Sequence, residues 1–387
     1  MKNYEGVKKY KIEISDEINA QEWDNNLKQN KHSTYLQTAE YILKNDSRKT
    51  PIFIYIKNQS GEIKGQLAMT IISSHPVYST KKLNKYMKII SKIGNRGTWV
   101  GGPIINSDNE KERNEILNEF LNIFDKISSN YNLMIIDGYS NAQENITKDY
   151  KNNFEKFGYT IKKLVTFRIE LNDSIEEIWK RVAKSAKNDI TRAQRRFVTV
   201  KELENKDELL EYEILGKNWA KTKGIQVYNP ESLVEQDWKD HLSGLQKYFF
   251  AFQGGKMISG LRVGCFNGIA FTNQVKSSYT KISSLGGPVL TWSAIKWAKT
   301  KGERIYDFSG VALPKGDDTY DKKFQEQWKG LTNYKKKWGG TEYTYFQFIK
   351  VNKKLSYKIY RILSKPDYII RNWKKNHFKR PKTEESN

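Results

Sequence analysis

The sequence predicts an α/β (α+β) fold made of two similar units in tandem, and a repeated pattern is the main reason. Residues 52–72 read as a strand, a polar turn at Gly61 and a second strand, and residues 248–266 read the same way around Gly254–Gly255. Each hairpin precedes an amphipathic helix and then a strand that ends in an acidic residue. Because the repeat spans about half of the chain, an internal duplication accounts for both halves.

The helix and strand after each hairpin complete the predicted unit. In the first unit the helix covers residues 116–129 and the strand covers residues 133–138. In the second unit they cover residues 289–300 and residues 304–308. The acids at the corresponding ends of the two strands are Asp137 and Asp307.

The length of the chain, 387 residues, is sufficient for two hydrophobic cores. We therefore expect one unit in residues 1–165, a second in residues 166–345 and a basic amphipathic helical tail in residues 346–387. In the tail, short apolar stripes occur among lysines and arginines on both sides of Pro366. Such a tail can lie on an anionic membrane surface or pack against the second unit.

The charge of the chain indicates an anionic partner, because the formal net charge is +23. The partner can be nucleic acid, an acidic lipid headgroup or a phosphorylated metabolite. Alternatively, the charge has no functional meaning and reflects a proteome in which all protein surfaces are rich in lysine. No apolar run is long enough for a membrane span, and no apolar segment follows the N-terminal lysines. We therefore expect a cytoplasmic protein, with peripheral contact at the inner membrane face if the tail binds lipid.

The cysteine and the histidines form no recognisable motif. Cys265 is the single cysteine, lies in an apolar strand-like stretch and is expected to be buried. The four histidines are scattered and lack the spacing of a zinc site. The sequence therefore predicts neither a metal site nor a Ser-His-Asp triad.

A basic helix is predicted between the two units, from residue 174 to residue 197. Ser174 and Glu177 have the spacing of a capping box. One buried stripe is predicted by apolar residues at helical spacing: Ile175, Ile178, Trp179, Val182, Ala186, Ile190, Ala193 and Phe197. The other faces are basic: Lys180, Arg181, Lys184, Lys187, Arg192, Arg195 and Arg196. The basic face is either a ligand-binding surface or a solvated helix face.

Several short motifs resemble those of one family in their order and spacing. They are Tyr35–Leu36–Gln37–Thr38 with Lys44 downstream, Trp99–Val100–Gly101–Gly102–Pro103, residues 184–190 with Ala193, residues 306–310, and residues 330–339. Together they resemble the Fem-type aminoacyltransferases, which are similar to paired acetyltransferase-like (GNAT) domains and build the peptide bridges of peptidoglycan. The resemblance extends from residue 33 to residue 345. The chain departs from the family at Tyr334 and Trp338, where the family usually has Phe, and shows no long helical-hairpin insertion.

The resemblance implies two tandem GNAT-like acyltransferase domains and a reaction in which the acceptor amine attacks the acyl donor directly. Such a reaction needs reactants that are held together and a stabilised oxyanion. Lys335 matches the family's catalytic-pocket lysine, where a cation can stabilise the oxyanion or hold the terminal ribose-phosphate of a transfer RNA. Tyr334 is then expected to shape the pocket or to pack in the core. Asp307, at the end of its strand, can orient or deprotonate the amine, or cap the following turn.

The acceptor in this family is a nucleotide- or lipid-linked sugar, so the resemblance also implies cations for a diphosphate. Lys44 matches the family's N-terminal phosphate-contacting lysine. On the basic helix Arg192 is the first candidate, because a planar guanidinium can bind phosphate through two hydrogen bonds, and Lys187 is the alternative. Each of the three can instead be a solvent-exposed residue without a ligand.

Three functions remain open from the sequence. The first is aminoacyl transfer from aminoacyl-tRNA, as co-substrate and without a further cofactor, to an amine of a nucleotide- or lipid-linked muropeptide or other envelope precursor. The second is an acyl-CoA-dependent N-acylation of an amino sugar in a surface glycan. The third is a non-enzymatic module that binds nucleic acid or a membrane surface. The first explains the charge and the ordered motifs together.

Overall fold

The computed structural model describes most of the chain. The described residues are 2–5, 9–43, 49–73, 94–142, 147–223, 229–278, 283–312 and 322–360. Lys44 and residues 361–387 of the expected tail lie outside them.

The first half of the chain contains a hairpin, a long helix and a strand in the predicted order. Its strands are β1 (Lys2–Glu5), β2 (Lys11–Ser15), β3 (Lys49–Lys57), β4 (Ile63–Ile72), β5 (Asn95–Val100), β6 (Ile104–Ile105), β7 (Leu133–Tyr139) and β8 (Thr160–Glu170). Its helices are α1 (Ala20–Lys28), α2 (Ala39–Ile42), α3 (Glu110–Asn130) and α4 (Lys148–Lys156). A 3-10 turn at Tyr35–Gln37 precedes α2.

Within the described residues, the second half repeats this order after four helices that precede its hairpin. Its strands are β9 (Thr199–Glu202), β10 (Gln246–Gln253), β11 (Lys256–Phe266), β12 (Ile269–Ser277), β13 (Ile305–Asp307), β14 (Val311–Ala312) and β15 (Thr341–Val351). Its helices are α5 (Ile175–Arg181), α6 (Lys184–Arg195), α7 (Lys206–Lys223), α8 (Glu231–Leu242), α9 (Gly286–Thr300) and α10 (Lys322–Lys336).

One mixed sheet joins the strands of the described residues. Its order is β1-β2-β3-β4-β5-β7-β15-β8-β13-β12-β11-β10-β9, with β6 beside β4 and β14 beside β8. In each half a hairpin is followed by a strand that pairs in parallel with the strand after the helix, β5 with β7 and β12 with β13. The two predicted hairpins are β3–β4 and β10–β11, and the α/β class expected from the sequence is confirmed.

The last strand of each half lies in the other half of the sheet. β8 pairs with β13, β15 pairs with β7, and β8 and β15 pair with each other from Thr160 to Arg168. The expected boundaries at residues 165 and 345 therefore fall inside strands. Residues 346–351 continue β15, and the helical part of the tail begins only at residue 354. The division into two domains stays a prediction.

Each half has its own hydrophobic core. In the first, Trp99 on β5 stacks on Phe124 of α3 with ring centroids 4.9 Å apart. Gly138 on β7 lies directly under this indole, and a Cβ there would come within 1.9 Å of the ring, so only glycine fits. The second core includes Trp338 and, as expected from the sequence, the buried Cys265.

The predicted basic helix is two helices, because the chain bends between α5 and α6. Ser174 caps α5 by accepting a hydrogen bond from the Glu177 amide, as the capping pattern predicted. Val182 is extended, and the Ala183 amide donates to the Lys337 carbonyl instead of continuing the helix. The predicted stripe is buried or half-buried up to Ala193. Phe197 is the exception, since it follows α6 with 84% of its surface exposed.

Candidate functional site

The carboxylate of Asp307 organises the turn that follows β13. Its Oδ1 accepts hydrogen bonds from the Thr166 hydroxyl and, at 2.8 Å, from the Ser309 amide. Its Oδ2 accepts from the Arg168 Nε at 2.7 Å. Both Asp307 and Arg168 are buried. The turn-capping role that the sequence offered for Asp307 is therefore seen, and its part in proton transfer stays a prediction.

Lys335, near the end of α10, contacts the same turn. Its Nζ donates to the carbonyl oxygens of Ser309 at 3.2 Å and Gly310 at 3.4 Å. Burial lowers the pKa of Lys335 to about 8, and the nearby charge of Asp307 acts in the opposite direction. A lysine with this pKa is still mostly cationic at neutral pH, so the turn carries a fixed positive charge next to Asp307.

Tyr334 precedes Lys335 and faces a different neighbour. Its hydroxyl is 3.0 Å from the Thr291 hydroxyl on α9, and its ring lies edge-on to Trp338. Burial raises the pKa of Tyr334 to about 12. Tyr334 thus packs against the second core, which is the alternative that the sequence left open, and any contact with a substrate stays a prediction.

A cavity of about 250 Å³ between the halves is lined by the turn that Lys335 contacts. From the second half it includes Asp307 and Ser309. From the first half it includes Gly101 and Asn141. The remaining lining residues are Thr34, Leu36, Val100, Tyr139, Ser140, Ala142, Thr166, Arg168, Phe271, Gly310 and Tyr345.

Two of the sequence motifs meet in the wall of this cavity. Gln37 donates from Nε2 to the Gly101 carbonyl at 3.2 Å, and the Trp23 indole donates to the Gln37 carbonyl at 2.9 Å. Gly101 has a φ of 71°, and a Cβ there would come within 2.5 Å of the Asn141 amide oxygen. Glycine is therefore required where these two loops touch.

Arg168 is the main site residue that sequence reasoning missed. Besides holding Asp307, its Nη1 donates to the Ala142 carbonyl at 2.8 Å, and its guanidinium lies over the Tyr343 ring. It thereby joins the loop after β7 to the turn after β13. An arginine between the apolar residues Phe167 and Ile169 was the available signal, because a charge at a core position requires a partner.

Arg192 and Lys187, which were predicted to bind substrate, do not line this cavity. Arg192 is exposed on α6 and pairs with Asp189 one turn away. Lys187 on the same helix donates to the Lys180 carbonyl and lies over the Trp179 ring. Lys44 lies outside the described residues. Of the six candidates, the structure brings together only Lys335 and Asp307, with Tyr334 adjacent to Lys335 in the chain.

The first half has a similar arrangement at the corresponding acid. Asp137 on β7 accepts two hydrogen bonds of 2.7 Å from Arg96 on β5. In both halves, therefore, the acid at the end of the strand after the helix forms a short ion pair with an arginine from a neighbouring strand.

Within the described ranges, no set of three His, Cys, Asp or Glu side chains is arranged to hold a metal ion. No helix in the same part of the chain combines the length and the apolar character needed to cross a membrane.

The described residues form a mixed α/β fold, and comparison with solved structures shows which proteins share it. The chain resembles FemX with a TM-score of 0.66 and 15% identity, over 90% of this chain and 99% of FemX. It also resembles the C-terminal domain of a protein assigned as a lysylphosphatidylglycerol synthetase from Agrobacterium fabrum, with a TM-score of 0.51, 10% identity and coverage of 91% and 96%.

A third similar structure is a conserved protein of unknown function from Bacteroides thetaiotaomicron, with a TM-score of 0.51, 9% identity and coverage of 88% and 99%. No family model and no curated protein matches the sequence. At these identities the likeness concerns the fold. The α/β fold and the structural likeness to a Fem-type protein that were expected from the sequence are confirmed at that level.

Proposed function

We propose that this protein is a Fem-like acyltransferase that moves an aminoacyl group from aminoacyl-tRNA to an amine of a nucleotide- or lipid-linked envelope precursor. The observation that carries the proposal is the contact of the half-buried Lys335 with the turn after β13, next to a cavity between the two halves. The shared fold with FemX supports the same reading.

Lys335 has the chemistry that an oxyanion requires. Burial lowers the pKa of Lys335 to about 8, so the side chain is still mostly cationic at pH 7. The backbone carbonyls of Ser309 and Gly310 hold this cation in place before the substrate arrives. A fixed charge in a site that excludes water stabilises developing negative charge better than a mobile one.

The proposed reaction needs no nucleophile from the protein. The neutral acceptor amine attacks the ester carbonyl carbon of the donor, and the C–N bond forms while the carbonyl electron pair moves to oxygen. Collapse of this intermediate breaks the C–O bond to the ribose, and the leaving oxygen takes up the proton that the amine loses. The role proposed for Lys335 is to stabilise the oxyanion, and the role proposed for Asp307 is to fix the turn and orient the amine.

The exposed end of α6 fits an RNA donor. Arg195 and Arg196 at the end of α6 form no ion pair with a carboxylate of the described residues, and Phe197 beside them is exposed at a positive φ of 56°. Arginines can contact phosphates, and an exposed ring can stack on a base. Lys337, two residues after Lys335, ties α6 to this end of α10 through a 2.9 Å ion pair with Asp189.

The test is a product assay with purified full-length protein and separate donors. Charged transfer RNA or acetyl-CoA is incubated with a panel of nucleotide-linked muropeptides and amino sugars, and products are identified by mass. We expect a product that is heavier by one aminoacyl residue and that ribonuclease treatment of the donor abolishes. A product that requires acetyl-CoA and resists ribonuclease would show that the donor is an acyl-CoA and not aminoacyl-tRNA. Absence of product from every pair would contradict the enzyme assignment.

A further inference from the structure

A second and larger cavity lies between the two halves and meets the candidate site at Arg168. Its volume is about 780 Å³. Loop residues 29–32 after α1 and 105–108 before α3 form part of its wall, together with strands β8 and β13. It shares only Ser140, Asn141 and Arg168 with the smaller cavity. It is therefore a separate space with a common wall.

Basic side chains from four parts of the fold line this larger cavity. They are Lys31, Arg113, Arg168 and Arg304. The charge of Arg168 is balanced by its ion pair with Asp307. The other three form no ion pair with a carboxylate in the described part of the chain. Three cations without counter-ions thus face one space, and their mutual repulsion favours an anion between them.

The lining also contains two acidic residues, which offset only part of the charge of Lys31, Arg113 and Arg304. Asp108 is exposed to solvent. Glu170 accepts a 3.1 Å hydrogen bond at Oε1 from the Tyr343 hydroxyl and keeps its negative charge. The cavity therefore retains an excess of positive charge.

His32, at the edge of the same space, responds to this charge. Burial, followed by the charges of Lys31, Arg168, Arg304 and Arg113, lowers the pKa of His32 to about 4. The imidazole is therefore neutral at pH 7, and a neutral imidazole can still donate one hydrogen bond and accept another.

Arg304 is held in position before any ligand binds. Its Nη2 donates to the Asn267 carbonyl at 2.9 Å and to the Lys31 carbonyl at 3.3 Å. These bonds fix the guanidinium beside the loop that carries Lys31 and His32. A fixed cation loses little freedom when it meets an anion, so the arrangement favours binding.

We propose that this cavity is a binding site for a small polyanion, a phosphorylated or polycarboxylate group with at least two negative charges, held by Lys31, Arg113 and Arg304. The volume exceeds that of pyrophosphate, which leaves room for a sugar or peptide attached to the anionic group. The site is separate from the basic face of α6. Binding can be tested without any assumption about the reaction proposed above.

The test is calorimetric titration of the full-length protein with pyrophosphate and with citrate, and with acetate as the monovalent control. We expect at least one of the two polyanions to bind at least tenfold more tightly than acetate. Arg113→Gln should weaken that binding by about tenfold, because one charge-assisted contact is lost. Arg304→Lys, which keeps the charge but loses the planar fork, should weaken it less. Lys256→Gln, next to the exposed turn between β10 and β11 and outside the lining of both cavities, is the control and should leave it unchanged.

If only pyrophosphate binds, the natural ligand carries phosphate groups. If only citrate binds, it carries carboxylate groups. If both bind, the site recognises negative charge in general. A second readout is the imidazole titration of His32 by NMR, which should move to higher pH when a bound anion offsets the cations. The proposal would be overturned if neither polyanion bound more tightly than acetate. It would also be overturned if Arg113→Gln bound as well as the unaltered protein with its fold intact.

Discussion

The side chain of Lys335 and the backbone of Ser309 are in direct contact, with 3.2 Å between the Nζ and the carbonyl oxygen. The amide of the same Ser309 donates to Asp307, so one residue connects the cation and the carboxylate. Asp307 is in turn fixed by Arg168. The position of the Lys335 charge therefore depends on a buried ion pair on neighbouring strands.

The pH dependence of the rate should show the ionisation of Lys335. If the cation stabilises the oxyanion, kcat should fall as the pH rises through about 8, the pKa to which burial lowers this lysine. The measurement is a pH profile of kcat at saturating substrates. Lys335→Arg, which stays charged over this range, should lose that alkaline decrease. A profile that Lys335→Arg leaves unchanged would assign the decrease to another group.

The stability of the protein should also depend on Lys335. Its pKa is lower in the folded state than the ordinary value of 10.5, so below pH 8 the folded state holds a charge that burial disfavours. That destabilisation is relieved between pH 8 and pH 10.5, where the unfolded chain binds more protons than the folded one. Urea denaturation should therefore find Lys335→Met more stable than the unaltered protein at pH 7, with a difference that shrinks above pH 8. A Lys335→Met protein that is equally stable or less stable at pH 7 would argue against burial of this charge.

Substitutions of Arg168 and Asp307 should have coupled effects on the free energy of unfolding, because the two side chains form a buried ion pair. Arg168→Met leaves a buried carboxylate without its cation, and such changes typically cost about 3–5 kcal/mol. Adding Asp307→Asn removes that charge, so the double variant should lose less than the sum of the two single variants. Urea denaturation of the four proteins measures the coupling. Arg192→Met, which breaks the exposed pair with Asp189, is the control and should cost less than about 1 kcal/mol.

The end of α6 should affect the binding of RNA. Replacing Arg195 and Arg196 by Gln should weaken transfer-RNA binding and make its salt dependence shallower by about one unit of slope per lost phosphate contact. Fluorescence anisotropy over a series of salt concentrations measures both. Lys180→Gln, on α5, removes a cation that already pairs with Glu177 and should change the slope little. Unchanged affinity and slope in the double variant would remove this surface from the proposed donor site.

Phe197 provides an independent check on the same surface. Phe197→Gly should remove stacking on a base and weaken RNA binding by about 1–3 kcal/mol. It should also stabilise the fold, because glycine adopts the positive φ of this position more easily than phenylalanine does. A variant that is more stable but binds RNA equally well would show that the ring has no part in binding.

The sequence predicted the repeated elements because their patterns are local. Alternating apolar residues and glycine turns gave both hairpins, and a helical stripe gave α3 and α9. The bend before α6 was missed because the stripe continues through Val182, while a hydrogen bond from Ala183 to the distant Lys337 ends α5. No local pattern encodes such a bond.

For the site and for the sheet, the sequence predicted individual residues and strands but missed their partners that are distant in sequence. The resemblance singled out Lys335 as a pocket lysine, and Asp307 was recognised as the end of its strand. The partner of Asp307 was missed, because Arg168 is 139 positions away in the sequence. The exchange of β8 and β15 between the halves was missed for the same reason, since pairing of distant strands depends on the whole fold.

The most direct test of the proposed function is single-turnover transfer by Lys335→Ala, measured with aminoacyl-tRNA and saturating acceptor. If the Lys335 charge stabilises the transition state, the rate constant should fall by about 10²-fold or more while the acceptor concentration for half-saturation changes little. Circular dichroism and urea denaturation establish that the variant is folded. A folded Lys335→Ala protein that transfers at nearly the unaltered rate would contradict the placement of the catalytic site at Lys335 and the turn after β13.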